Sequence, residues 1–174
     1  MNAATHLIRT AVAADAAALA ALAEKTFREA FGEMNSPADT DEHCRRHYSP
    51  SIQAVEIAAA GRVTLVSSFS QRLTAFTQLR WSAPPTCVVG PAAAEIQRFY
   101  VDREFHGSGL ASRLMHEALA TLSRHGSATA WLGVWEKNPR GIAFYRKLGF
   151  SEVGEQTFVV GADVQRDLVM ARPV

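Results

Sequence analysis

The chain of 174 residues is poor in the features that announce most ligand chemistries. It has two cysteines, Cys44 and Cys87, far apart and outside any C-x-x-C pair, so neither a zinc knuckle nor a disulfide framework is expected. So little cysteine suits a cytoplasmic protein. Charge of one sign is also missing, because the formal net charge is +1. Broad attraction to nucleic acid or to a membrane surface is thereby excluded, and any charge-based recognition must be local. There is no long apolar run. The alanine-rich start reads as soluble helix, so no signal peptide or membrane span is expected. Internal repeats and low-complexity segments are absent too.

What remains is an ordinary globular composition, 48% hydrophobic and 20% charged, and a length that suits one domain over residues 1–174. Its central stretch is an apolar run with Ile96, Phe99 and Val101, then a turn holding Gly107 and Gly109, then an amphipathic segment. Leu110, Leu114, Ala118 and Leu122 make a helical stripe there. A strand, a glycine turn and a helix in that order leave the first amides of the helix unpaired at the positive end of its dipole. Such a join is either a phosphate site or a plain turn. No Gly-Lys-Ser/Thr follows, which rules out a P-loop. A dinucleotide fingerprint fails as well, because Ser112 stands at the third small position and too little chain remains for a second half.

The flanking segments set the expected architecture. His6 to Arg9 forms a short candidate strand. A helix from about Asp15 to Gly32 carries Leu19, Leu22, Ala23, Thr26, Phe27, Ala30 and Phe31 at helical spacing, with Phe27 and Phe31 read as core. Glu33 to Glu42 is expected as a loop whose Glu33, Asp39, Asp41 and Glu42 form a local negative patch, either a draw for a cationic substrate or a solvated cap. Helices follow over Asp41 to Tyr48 and around Ile52 to Ala59. Period-two patterning then marks a hairpin, with Val63, Leu65 and Phe69 in one strand, Leu73 to Trp81 in the next, and a turn at Ser70 to Arg72. Thr129 to Trp135 is a strand, parallel to the Ile96 to Val101 strand through a right-handed crossover. Asn138-Pro139 opens another helix, closed by Gly149. Strands at Phe150 to Val160 and Val164 to Ala171 complete the chain.

Two segments together resemble the GCN5-related N-acetyltransferase superfamily. His106-Gly107-Ser108-Gly109-Leu110-Ala111 is similar to its acetyl-CoA signature, with histidine where glutamine or arginine is usual. Trp135-Glu136-Lys137-Asn138-Pro139, leading to Ala143-Phe144-Tyr145-Arg146-Lys147-Leu148-Gly149-Phe150, resembles its last helix and Gly-Phe ending. The resemblance implies a mixed α/β fold, a largely antiparallel twisted sheet with a central splayed parallel strand pair and flanking helices. It implies acetyl-CoA as co-substrate. The cofactor would be held by the backbone of Phe99, Tyr100 and Val101, by the turn from His106 through Gly107, Ser108, Gly109, Leu110 and Ala111 to Ser112, and by Asn138. Neutral His106 would contribute less to a pyrophosphate than arginine, giving weaker or pH-sensitive binding.

The reaction so implied moves an acetyl group to an amine. An alkylamine has a pKa of about 10.4, and reaching its neutral form costs about 4 kcal/mol at neutral pH. Glu95, at the spacing where relatives place a catalytic glutamate, is the candidate base; an edge glutamate with a structural partner is the alternative. Tyr145 matches the tyrosine that serves relatives as general acid, stabilising the leaving thiolate by hydrogen bonding as much as by proton transfer. Thr26-Phe27-Arg28-Glu29-Ala30-Phe31-Gly32, Met34-Asn35-Ser36-Pro37 and Glu95-x-x-Arg98-x-Tyr100-Val101 resemble, more loosely, the bacterial polyamine acetyltransferase branch. A small cationic amine is then the expected acceptor. The alternatives are a peptide or protein N-acetyltransferase and a non-catalytic CoA-binding module. Many members pair through their C-terminal strands, so a homodimer is among the partners implied.

Overall fold

The computed structural model describes residues 6–174, and the first five residues of the expected domain lie outside it. The strands are β1 (Leu7–Thr10), β2 (Arg62–Phe69), β3 (Arg72–Arg80), β4 (Ala93–Val101), β5 (Thr129–Trp135), β6 (Ser151–Val160) and β7 (Asp163–Pro173). The helices are α1 (Ala16–Phe31), α2 (Pro37–His47), α3 (Pro50–Ala58), α4 (Leu110–Arg124) and α5 (Pro139–Lys147). One seven-stranded sheet has the order β1-β2-β3-β4-β5-β7-β6. Its pairs are antiparallel except β4 with β5, the crossover pair expected from the strand–helix–strand alternation.

The parallel pair is brief. Its register runs from Ala93↔Thr129 to Glu95↔Trp131 and stops, so β4 and β5 splay from Ile96 onward. A bulge adds to this, since Gln78 pairs with Arg98 but Leu79 with Ile96, leaving Gln97 as the extra residue. An extra residue shifts the side-chain alternation by one. Ala94 and Ile96 before the bulge, and Phe99 and Val101 after it, all join the cluster with α4. Tyr100 packs instead with the α1 cluster on the opposite face. Glu95, paired with Arg80, shares that second face.

Helices cover both faces. On one, the α4 stripe of Leu110, Leu114, Met115, Ala118 and Leu122 is buried against Ala94, Ile96, Ala130 and Leu132. On the other, Leu19, Leu22, Ala23 and Phe27 of α1 pack on Val66 and Phe76. Each fully buried large aliphatic side chain contributes roughly 1.5–3 kcal/mol. The β2–β3 hairpin closes through Ser70 and Gln71, both at positive φ (48° and 65°), the conformation that matches the twist of a two-residue connection.

One expectation fails at α2. The helix begins at Pro37 rather than Asp41, because Ser36 Oγ accepts from the Asp39 amide and proline occupies the first turn. The expected loop at Glu33 to Glu42 is therefore half helical. Most of the negative patch is consumed with it. Asp39 accepts from the Ala162 amide, Asp41 pairs with Arg28, and Glu42 pairs with Arg45 and Arg46. Three of the four carboxylates thus have partners within the chain, and the fourth, Glu33, lines the cavity described below.

Candidate active site

The splay opens into a cavity of about 850 Å³. It runs from the glycine turn, past the free edge of β4 and the start of α5, into a chamber on the α1 side of the sheet. Arg103, His106, Ala111, Phe99, Val101, Asn138 and Tyr145 line its first part, and Tyr100, on the α1 face, belongs to the chamber. Phe31, Trp131, Gly133, Trp135, Glu95 and Asp167 line the second.

At the turn, Gly107 and Gly109 have φ of +81° and +82°. A Cβ on either would meet nothing within 4 Å. The backbone conformation, not crowding, is what requires glycine here. Gly109 is the N-cap of α4. Among the described residues, none accepts from the amides of Gly107, Gly109, Ala111 or Ser112. Leu110 donates its amide to Ser108 Oγ at 3.3 Å, and Ser108 donates its hydroxyl to the Phe105 carbonyl. The Leu110 side chain is core, and of this turn His106 and Ala111 line the cavity while Leu110 does not. His106 lines the cavity, and its Nε2 donates to the Val101 carbonyl at 2.9 Å. That ring edge braces the turn against β4. Exposed Arg103, Lys137 and Arg140 add positive charge at the cavity rim.

These features fit a phosphorylated, amide-bearing ligand. Unpaired amides at a helix N-terminus suit pyrophosphate. The edge of β4 from Ile96 on, left open by β5, offers backbone donors and acceptors to an extended pantetheine arm. Asn138 Oδ1 accepts from the Gly141 amide at 2.9 Å, so its capping role is met within the chain while the residue also lines the cavity.

Tyr145 stands on α5 between Phe99, Phe144 and Phe150, with ring centroids 6.4, 5.4 and 5.9 Å away. Burial raises its pKa well above the ordinary 10, and the neighbouring Tyr100 adds to the rise. A phenol so held stays protonated at neutral pH and is a hydrogen-bond donor. Glu95 lies in the chamber wall, a position the sequence left open. Its carboxylate is held by Arg80, with contacts of 2.7 Å from Nε and 2.5 Å from Nη2. Burial pushes the Glu95 pKa up, and Arg80, Arg62 and Arg98 oppose that rise.

Several lining residues were not anticipated. Phe31, read as core, is half-buried and meets Tyr100 at 6.5 Å and Trp135 at 5.9 Å across the chamber. Arg80 gave no sequence signal, because only the β3–β4 register sets it opposite Glu95. Asp167 on β7 is 7% exposed, and no local motif marks it.

The fold, the amide-lined turn and the split strands define an acyl-CoA transferase cleft. The model of the Acetyltransferase (GNAT) family matches residues 17–150, and the chain belongs to that family. An uncharacterised N-acetyltransferase of Mycobacterium bovis is 32% identical over 163 residues, covering 91% of this chain and 97% of its own. The bS18-alanine N-acetyltransferase of Escherichia coli K12 is 33% identical over 76 residues, 42% of this chain and 51% of its own. The crystal structure of PaiA N-acetyltransferase from Thermoplasma acidophilum, in complex with coenzyme A, superposes with a TM-score of 0.79. It is 20% identical over 98% of this chain and 99% of its own. The protein is an acetyl-CoA-dependent N-acetyltransferase. No helix among the described residues is long and apolar enough to cross a membrane.

Proposed function

We propose that this enzyme acetylates a primary amine of a small cationic molecule, of the polyamine class. The observation that carries the reading is the chamber beyond the split strands, where aromatic walls and buried carboxylates sit at the end of the cofactor cleft. The PaiA likeness supports the architecture of that cleft.

Acetyl-CoA supplies an activated thioester. Gly107 to Ser112 hold its phosphates by backbone amides, with Phe99 to Val101 and Asn138 along the pantetheine. Tyr145 donates a hydrogen bond to the sulfur as the C–S bond breaks. A phenol pKa raised above that of a thiol, about 8.5, makes full proton transfer uphill, so the donated hydrogen bond is its main contribution. Glu95 accepts the amine's proton through water at Oε1, because both Arg80 contacts go to Oε2, and Arg80 opposes the rise in pKa that burial imposes. The two cysteines, both free thiols, suit a reducing cytoplasm.

A second reading, transfer to a protein N-terminal alanine, draws on the 76-residue likeness to the bS18-alanine enzyme. Free-thiol release from acetyl-CoA with spermidine, and with a peptide beginning in alanine, separates the two. The proposal expects the larger kcat/KM with spermidine; a larger value with the peptide overturns it.

A further inference from the structure

The described residues include three buried acidic side chains, Glu95, Asp102 and Asp167. Two have a cation within the chain, Glu95 with Arg80 and Asp102 with Lys25 at 2.7 Å. Asp167 has none, and among the described residues nothing donates a hydrogen bond to its carboxylate. A buried charge without a partner is costly, and such groups are kept where a ligand completes them.

The setting is built around that carboxylate. Trp135 and Gln156 flank Asp167 in the sheet register, from β5 and β6. Gly133 makes the room: a Cβ there would lie 2.6 Å from Gln156 Nε2 and 3.0 Å from Asp167 Oδ2. With hydrogen in that place, both polar ends lie over β5 in the wall of the cavity. Phe31, Tyr100 and Trp135 form aromatic walls of the same chamber. An anionic group among aromatic rings is suited to an organic ammonium, which gains Coulomb attraction from the one and cation–π attraction from the others.

We infer that Asp167 is the ammonium-binding residue of the acceptor half, selecting amines that arrive in their cationic form. This rests on the proposed amine acceptor and assigns its recognition to a residue that takes no part in the proton transfers given to Tyr145 and Glu95. Burial pushes its carboxyl up to about 6, so it is ionised at neutral pH and awaits a cation. Charge-assisted contacts of this kind are worth about tenfold to a hundredfold in affinity.

The test is calorimetric titration of spermidine into the CoA-loaded enzyme, wild type against Asp167→Asn and Asp167→Glu, beside steady-state kinetics. Asp167→Asn is expected to weaken spermidine binding about tenfold to a hundredfold and to raise its KM in proportion, with kcat and the acetyl-CoA KM within about threefold of wild type. Asp167→Glu, keeping the charge, should recover most of the affinity. A thermal melt confirms that each variant is folded. The KM for aniline, an uncharged arylamine, should not move. Spermidine binding equally tight in Asp167→Asn, an equal rise for aniline, or no spermidine binding by the wild type overturns the inference. The broader reading fails separately: spermidine that binds through Asp167 but releases no thiol removes it as substrate and leaves the ammonium site standing. Turnover with a KM indifferent to Asp167 does the reverse.

Discussion

An unpaired buried carboxylate should make the empty enzyme less stable than it need be, and the size of that cost follows from the structure. Asp167 is pushed from its ordinary 3.8 to about 6, and desolvation is the sole cause. Tyr100, whose pKa burial raises and to which Asp167 adds a smaller rise, is a neutral phenol and no counter-charge. A carboxyl with a raised folded pKa binds more protons in the folded than in the unfolded state between the two values, so its contribution falls as pH rises through that window. Above pH 6 the cost is complete, at most about 3 kcal/mol because the carboxylate opens on the cavity, and it shrinks through pH 5 until below pH 4 it is nearly gone. Asp167→Asn removes the titration but leaves a polar amide to desolvate, so a net gain of about 2 kcal/mol is expected at pH 8. For a domain of this size that is about 4–8 °C in Tm. Urea unfolding of both proteins at pH 8, 6 and 5 reads the difference directly. The gain should shrink toward pH 5. A variant less stable than wild type at pH 8, or a gain independent of pH, would refute the reasoning, because Asp167 would then have a cation partner or not be buried as an ion.

Three other outcomes follow from the same geometry. Tyr145→Phe should lower kcat by about tenfold to a thousandfold while the acetyl-CoA KM stays within about twofold, measured by thiol release; unchanged kcat removes Tyr145 from the mechanism. Glu95→Gln should lower kcat by about a hundredfold or more, most at low pH where the amine is hardest to deprotonate, and a pH–rate profile that overlays the wild type removes it as base. Gly109→Ala places a Cβ at φ +82°, costing about 1–2 kcal/mol of stability and raising the acetyl-CoA KM, both read from a denaturation curve and saturation kinetics.

Much of the cofactor half was legible because it is local. Gly107 and Gly109 after an apolar run, and Asn138-Pro139 before a helix ending at Gly149, are short-range patterns whose physics is complete within one turn. The Ser36 cap was equally local, yet its Pro37 was read as loop because turn residues and the first turn of a helix share composition. The acceptor half was harder for a different reason. Asp39 reaches Ala162 across 123 positions, and Arg80 meets Glu95 only through a register that a bulge has shifted. Phe31 has the helical spacing of a core residue but ends α1 half-buried, with the cavity beside it. Asp167 is invisible in the chain because its meaning lies in what does not stand beside it.

The central claim is that this cleft moves an acetyl group from acetyl-CoA to the amine of a small cation. The most direct measurement is the time course of thiol release from acetyl-CoA in the presence of spermidine, with mass analysis of the product. Saturable, enzyme-dependent release with one acetyl group gained by the amine is the predicted result. Release that proceeds only with a peptide amine, with spermidine recovered unmodified, would contradict it.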